Sequence, residues 1–342
     1  MLYPESTSDH LNIDLFRQPT VHFRSIPFWS WNCRVTKELI DEQLPIFKKM
    51  GFGGVDIHPR SGLDTVYLSD DYMELIRYTV EKCKELGLLC WLYDDDRFPS
   101  GAADGLVTQD PRFRQRCLLL TENPQSDFFP DQPSFDTAIE QGQIPKGWYA
   151  ATYAIGKGTA RRLSKTEVPR EEEALRYAYV MLLEPEDWFQ GQTYVDVMNP
   201  AAVRRFINIT HEAYDRKIGS DFGCTVPAIF TDEPRMETRT NRHPKLLKNA
   251  DDHGDVIIPW SDALREKLLK ENRIDLLDIA PALVWELPNS NGARYTFRNA
   301  AGEQFVTAFL DQIADWCKDH HILMTGHVLS EDTLSAQAAS LG

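Results

Sequence analysis

Gly53-Gly54-Val55-Asp56-Ile57-His58, a helical pattern over residues 70–86 that Gly87 closes, and Leu88-Leu89-Cys90-Trp91-Leu92-Tyr93 together decide the fold class. A short apolar run, an amphipathic helix stopped by glycine and a second apolar run without delay are the pattern of parallel strands joined by crossover helices. The same unit precedes it. Ile26-Pro27-Phe28-Trp29-Ser30-Trp31-Asn32 reads as a strand, Thr36 as an N-cap, and Leu39, Ile40, Leu44 and Phe47 as the apolar stripe of a helix ending near Gly51. After an interruption the rhythm resumes with Tyr194-Val195-Asp196-Val197-Met198, a helix opened by Asn199-Pro200, Val226-Pro227-Ala228-Ile229-Phe230, and finally Ile322-Leu323-Met324-Thr325-Gly326.

These strands predict an α/β fold of the (β/α)8 TIM-barrel type, which needs eight strands where six are found here. Either two strands lie in segments read otherwise, or the barrel is incomplete at the C-terminus because the chain is an N-terminal piece of a longer protein; the second reading is preferred. Residues 1–24 are expected to be a lead-in, 25–101 the first barrel units, 102–192 a small β-rich insertion after the third strand, and 193–342 the later units. The stretch 235–259 reads as a long loop of mixed charge.

The totals set bounds. A chain of 342 residues that is 42% hydrophobic can bury one large core or two ordinary ones. With 37 basic and 52 acidic residues the net charge is −15, which repels nucleic-acid phosphates and anionic membranes and leaves neutral substrates admissible. The six cysteines are scattered without a Cys-x-x-Cys pair, as expected of reduced cysteines. The N-terminus lacks the basic start and apolar run of a secretory signal, and no apolar stretch approaches the ~20 residues that span a bilayer, so a cytoplasmic location is expected.

In parallel α/β folds the reactive side chains stand at the carboxyl ends of the strands. The residues there are Asn32; His58 and Arg60; Asp94, Asp95, Asp96 and Arg97; Asn199; Asp232 and Glu233; and His327, with Glu331 beyond. Glycosidic cleavage needs one carboxyl group to protonate the leaving oxygen and another to activate water or attack the anomeric carbon. Glu233, between Asp232 and Pro234, suits such a post, and Glu331 can reach the same mouth or cap the terminal helix. Trp29, Trp31, Trp91 and Tyr93 offer ring faces for a sugar, with core packing as their alternative role. No metal ligand is assigned from spacing.

Five blocks in order, Pro27–Asn32, Gly53–Arg60, Trp91–Asp96 with Pro99-Ser100-Gly101, Phe230–Pro234 and Gly326–Asp332, resemble the barrel signatures of glycoside hydrolase family 106. The resemblance implies an inverting α-L-rhamnosidase-like enzyme with a carbohydrate substrate and calcium but no organic cofactor. It implies Glu233 and Glu331 as the acid/base pair and His58, Asp95 and His327 as lining the sugar site; the strand-end and aromatic reading adds Trp29, Trp31, Asn32, Arg60, Trp91, Asp94, Asn199 and Asp232 as expected substrate contacts. The block after the third strand departs from the family, having Asp-Asp-Asp-Arg-Phe where relatives have a central Glu and a Trp before the proline. The alternatives are a retaining glycosidase of another specificity, such as one acting on β-galactosides, and a non-catalytic carbohydrate-binding barrel fragment.

Overall fold

The computed structural model describes residues 9–189, 191–236, 254–328 and 334. Along the chain run α1 (Ile13–Arg17), β1 (Phe28–Trp31), α2 (Lys37–Lys49), β2 (Gly54–Pro59), α3 (Asp70–Leu86) and β3 (Leu89–Tyr93). There follow β4 (Arg116–Thr121), α4 (Gln132–Glu140), β5 (Gly147–Gly156), β6 (Thr159–Arg162), β7 (Ala174–Leu182), α5 (Pro200–Ile209), α6 (His211–Ile218) and β8 (Ala228–Asp232). The last are β9 (Val256–Trp260), α7 (Asp262–Lys267), α8 (Leu276–Val284), α9 (Ser290–Phe305), α10 (Asp311–Asp319) and β10 (Leu323–His327). They form two compact units, one drawn from residues 1–106, 204–234 and 311–329 and the other from 107–203, 235–310 and 330–342.

The first unit holds a five-stranded sheet in the order β1-β2-β3-β8-β10, parallel throughout. Local chemistry places its helices as the sequence predicts. The Thr36 hydroxyl accepts from Leu39 N at 3.3 Å to start α2, Ser69 accepts from Tyr72 N at 3.2 Å to start α3, and Gly87 ends α3 at φ 65°. The Tyr72 and Tyr214 hydroxyls meet at 3.1 Å, and Tyr214 donates to the Tyr93 carbonyl at 3.0 Å, tying α3 and α6 to the carboxyl end of β3.

The second unit holds an antiparallel sheet, order β6-β5-β7-β4-β9. Its core includes Cys117, Leu119, Tyr179, Leu183 and Ile257. Four cysteines, Cys83, Cys90, Cys117 and Cys317, are buried and reduced, while Cys33 and Cys224 are exposed. No helix among the described residues is long and apolar enough to cross a membrane.

The expectation of a (β/α)8 barrel is therefore corrected: among the described residues one parallel sheet and one antiparallel sheet replace it. The fourth expected strand is the main local cause. Within 194–198 only Val195 makes a bridge, antiparallel to Arg114, and the Asp196 carboxylate accepts from Met198 N at 3.0 Å, curling the backbone into a turn before Asn199 caps α5. The parallel sheet passes directly from β3 to β8. Conversely Val256–Trp260, read as the end of a loop, is a strand paired with β4, with Pro259 opposite Cys117 at the end of the sheet order.

Candidate active site

Register fixes which side chains share a face of the parallel sheet. Phe28 pairs with Asp56 and Ser30 with His58; Asp56 pairs with Trp91; Tyr93 pairs with Phe230; and His327 pairs with Asp232. Because side chains alternate along each strand, these residues project to one side. Ring contacts agree: Phe28 lies 4.7 Å from His58 and 5.0 Å from Phe230, His58 lies 4.1 Å from Tyr93, Tyr93 stacks on Phe230 at 6.0 Å, and Phe230 meets His327 at 5.2 Å. An aromatic floor thus leads to a polar rim at the carboxyl ends.

Trp29 and Trp31 point the other way. Trp31 meets Tyr72 of α3 at 5.9 Å, and Trp29 meets Phe47 of α2 at 5.8 Å and donates to Gln43. They are core residues beneath the helices, whereas Trp91 is on the face with His58.

The rim is built around Asp232, Glu233 and His327, whose ligand-type atoms all lie within 4.8 Å of one another. Tyr93 donates its hydroxyl to Asp232 Oδ2 at 2.7 Å, and burial together with that carboxylate holds the phenol proton far above its ordinary range. Glu233 follows β8 in the left-handed region at φ 46°, a conformation a non-glycine residue adopts at some cost, and its N–H is held by the His327 carbonyl at 3.1 Å. The close approach of β10 depends on Gly326, where a Cβ would stand 1.9 Å from the Thr231 carbonyl oxygen.

His58 and Asp56 add buried polar groups to the same face. The Arg60 guanidinium reaches His58 Nε2 at 3.2 Å, so that nitrogen accepts and the ring proton resides on Nδ1, which is buried without a partner among the described residues. Burial, aided by Arg60, pushes the imidazole down to about 4, leaving it neutral at pH 7. Asp56 is only 2% exposed, and burial, with Asp232 and Asp94 nearby, raises its carboxyl well above the usual range. Its Oδ1 and the Trp91 Nε1 are likewise buried without partners among the described residues.

The three consecutive aspartates do different work. Asp94 accepts from the Ser100 hydroxyl, and burial raises it to about 7. Asp95 is wholly engaged by its own loop: Oδ2 accepts from Gly101, Ala102 and Ala103 N–H at 2.7, 2.9 and 3.0 Å, and Oδ1 from Asp96 and Asp104 N–H at 2.8 and 3.3 Å. Asp96 pairs with Arg97 and is raised to about 8, by burial first and the neighbouring Asp95 second.

Among the remaining expected site residues, Asn32 and Arg60 are exposed. Asn199 belongs to the second unit, where its side chain accepts from Ala201 N at 3.0 Å. Glu331 lies outside the described residues. Calcium takes six to eight oxygen ligands. The described trio offers two carboxylates and an imidazole, a donor calcium does not favour, so these residues do not fit a calcium cage by themselves. Reading the sequence missed Asp56 and Ser100. Asp56 had a signal, since it alternates with His58 inside an apolar strand and so must share its face.

No family model matches the chain, and no curated protein matches it. The likeness to family 106 read from the five blocks therefore has no counterpart in either comparison. Among solved structures, one that shares this fold is the rhamnosidase from Novosphingobium sp. PP1Y, with a TM-score of 0.56 and 13% identity over 96% of this chain. The match takes in 48% of that protein, so this chain has the fold of about half of a rhamnosidase chain.

Proposed function

We propose that this chain carries the catalytic face of a glycoside hydrolase. The observation that supports it best is the convergence of Asp232, Glu233 and His327 within 4.8 Å at the carboxyl ends of adjacent parallel strands, beside an aromatic floor suited to the C–H face of a sugar ring. In this reading Glu233 exchanges the proton at the glycosidic oxygen. Asp232, oriented by Tyr93, accepts from substrate hydroxyls, and neutral His58 donates to one through Nδ1. Glu331 is the proposed second carboxyl group, and an α-L-rhamnoside the first substrate to try, by fold likeness to the rhamnosidase. An inverting enzyme would keep the two carboxyl groups roughly 6.5–9.5 Å apart, and a retaining one about 5–5.5 Å.

The test is nitrophenol release from a panel of aryl glycosides by the 342-residue chain, with the product anomer followed by NMR. Glu233→Gln should lower kcat about 10²- to 10⁴-fold, the span of a lost general acid or base. Near-native turnover by that variant removes Glu233 from the chemistry. Sugar binding without hydrolysis of any glycoside would favour the carbohydrate-binding alternative instead.

A further inference from the structure

The pairing of β3 with β8 ends early. Its register covers Leu92 with Ile229 and Tyr93 with Phe230, and Asp94 N still donates to the Phe230 carbonyl at 3.0 Å. Beyond that the chain leaves the sheet, just where β8 runs on to Asp232 and the left-handed Glu233. In a parallel ladder the next rung would leave the Asp232 N–H and C=O without a neighbour strand.

Ser100 takes that place. Its N–H donates to the Asp232 carbonyl at 2.8 Å, and its hydroxyl oxygen accepts from Asp232 N at 2.8 Å. The same hydroxyl spends its proton on Asp94 Oδ1. Ser100 and Asp94 are both 0% exposed, so no water competes for these bonds. A hydroxyl is the smallest group that can accept from one neighbour while donating to another, and Asp94 fixes which way it donates. On its other side Asp232 is paired with His327, whose carbonyl takes the Glu233 N–H. The peptide entering the Glu233 turn is thereby gripped from both flanks, by β10 on one and by a single serine on the other.

We propose that Ser100, with Asp94 as its anchor, is a positioning residue that sets the orientation of Asp232 and Glu233 through the Asp232 backbone. This rests on the glycosidase reading for its catalytic consequence and on the hydrogen bonds alone for its structural one. Misplacing a reacting group by about 1 Å can cost about a hundredfold in rate. Ser100→Ala removes both hydroxyl bonds while keeping the main-chain bond, and Ser100→Thr retains the hydroxyl.

Two measurements on the full chain test the proposal. In the glycoside assay, Ser100→Ala should lower kcat about ten- to hundredfold with KM changed less than about threefold, and Ser100→Thr should recover most of the loss. In amide exchange, the Glu233 N–H should exchange at least about tenfold faster in Ser100→Ala, with Ser100→Thr close to wild type. If the wild-type chain hydrolyses no glycoside, the functional reading fails while exchange still decides the clamp. Unchanged exchange and kcat in Ser100→Ala, a rise confined to KM, or a Thr variant as impaired as the Ala variant overturns it.

Discussion

Asp95→Asn isolates how much a buried carboxylate contributes to holding the loop after β3. Five backbone N–H groups converge on this side chain, three on Oδ2 and two on Oδ1. Asparagine has the same shape but one acceptor oxygen. With that oxygen turned to the three-donor side, its NH₂ faces the Asp96 and Asp104 donors, so two bonds are lost and three become neutral. Hydrogen bonds to a charge contribute about 1.5–3 kcal/mol and neutral ones about 0.5–1.5, giving a gross loss of roughly 8 kcal/mol. Against this stands the cost of burying the charge, which raises the Asp95 carboxyl above its usual range and which the amide relieves. A net loss of about 2 kcal/mol follows, roughly thirtyfold in the loop-opening equilibrium. The loop also stores strain, since Ala103 and Asp104 sit at φ 52° and 53°, so it should open rather than adapt. Amide exchange should accelerate about thirtyfold for Gly101 to Asp104 and remain unchanged in β3. Exchange within about threefold of wild type across that loop would refute the carboxylate's holding role.

Gly326→Ala should cost about 3 kcal/mol, because its Cβ would collide with the Thr231 carbonyl oxygen at 1.9 Å; a urea midpoint matching wild type would count against the close approach of β10 to β8. Asp94 and Asp196 are raised to about 7, chiefly by burial, so the folded state holds their protons more tightly than the unfolded chain. Their contribution is fully present below the unfolded value near 3.9 and is lost as pH rises through about 7. Asp196→Asn, remote in sequence from the proposed catalytic groups, should flatten the fall in stability between pH ~4 and ~7 by up to about 1.4 kcal/mol per pH unit, and an unaltered slope in urea titrations would contradict the assignment.

The strands of the parallel sheet were legible because each is built on a short apolar run, some of them set off by glycine, as with Gly87 before β3. Their carboxyl-end residues followed from that reading, which is how the shared end of the sheet where Asp232, Glu233 and His327 lie was legible in the sequence. Barrel closure was not legible. Tyr194-Val195-Asp196-Val197-Met198 has strand-like alternation, yet the competing bond that the Met198 N–H donates to the Asp196 carboxylate wins locally, a contest that hydrophobic pattern does not record. The direction of Trp29 and Trp31 was lost for a related reason: alternation says that they share a face but not which one. Asp95 looks from its position like a substrate contact, and only the folded loop reveals five main-chain donors around it.

The parallel sheet is composed of three stretches of chain, with β1 to β3 first, β8 much later and β10 near the end. During synthesis, the edge of β3 that β8 will cover stays open while a stretch longer than β1 through β3 combined is made, on the order of ten seconds at ribosomal rates. An uncovered strand edge is a template for pairing with other chains. The interleaved order therefore favours expression conditions that speed elongation past β8 or slow encounters between chains.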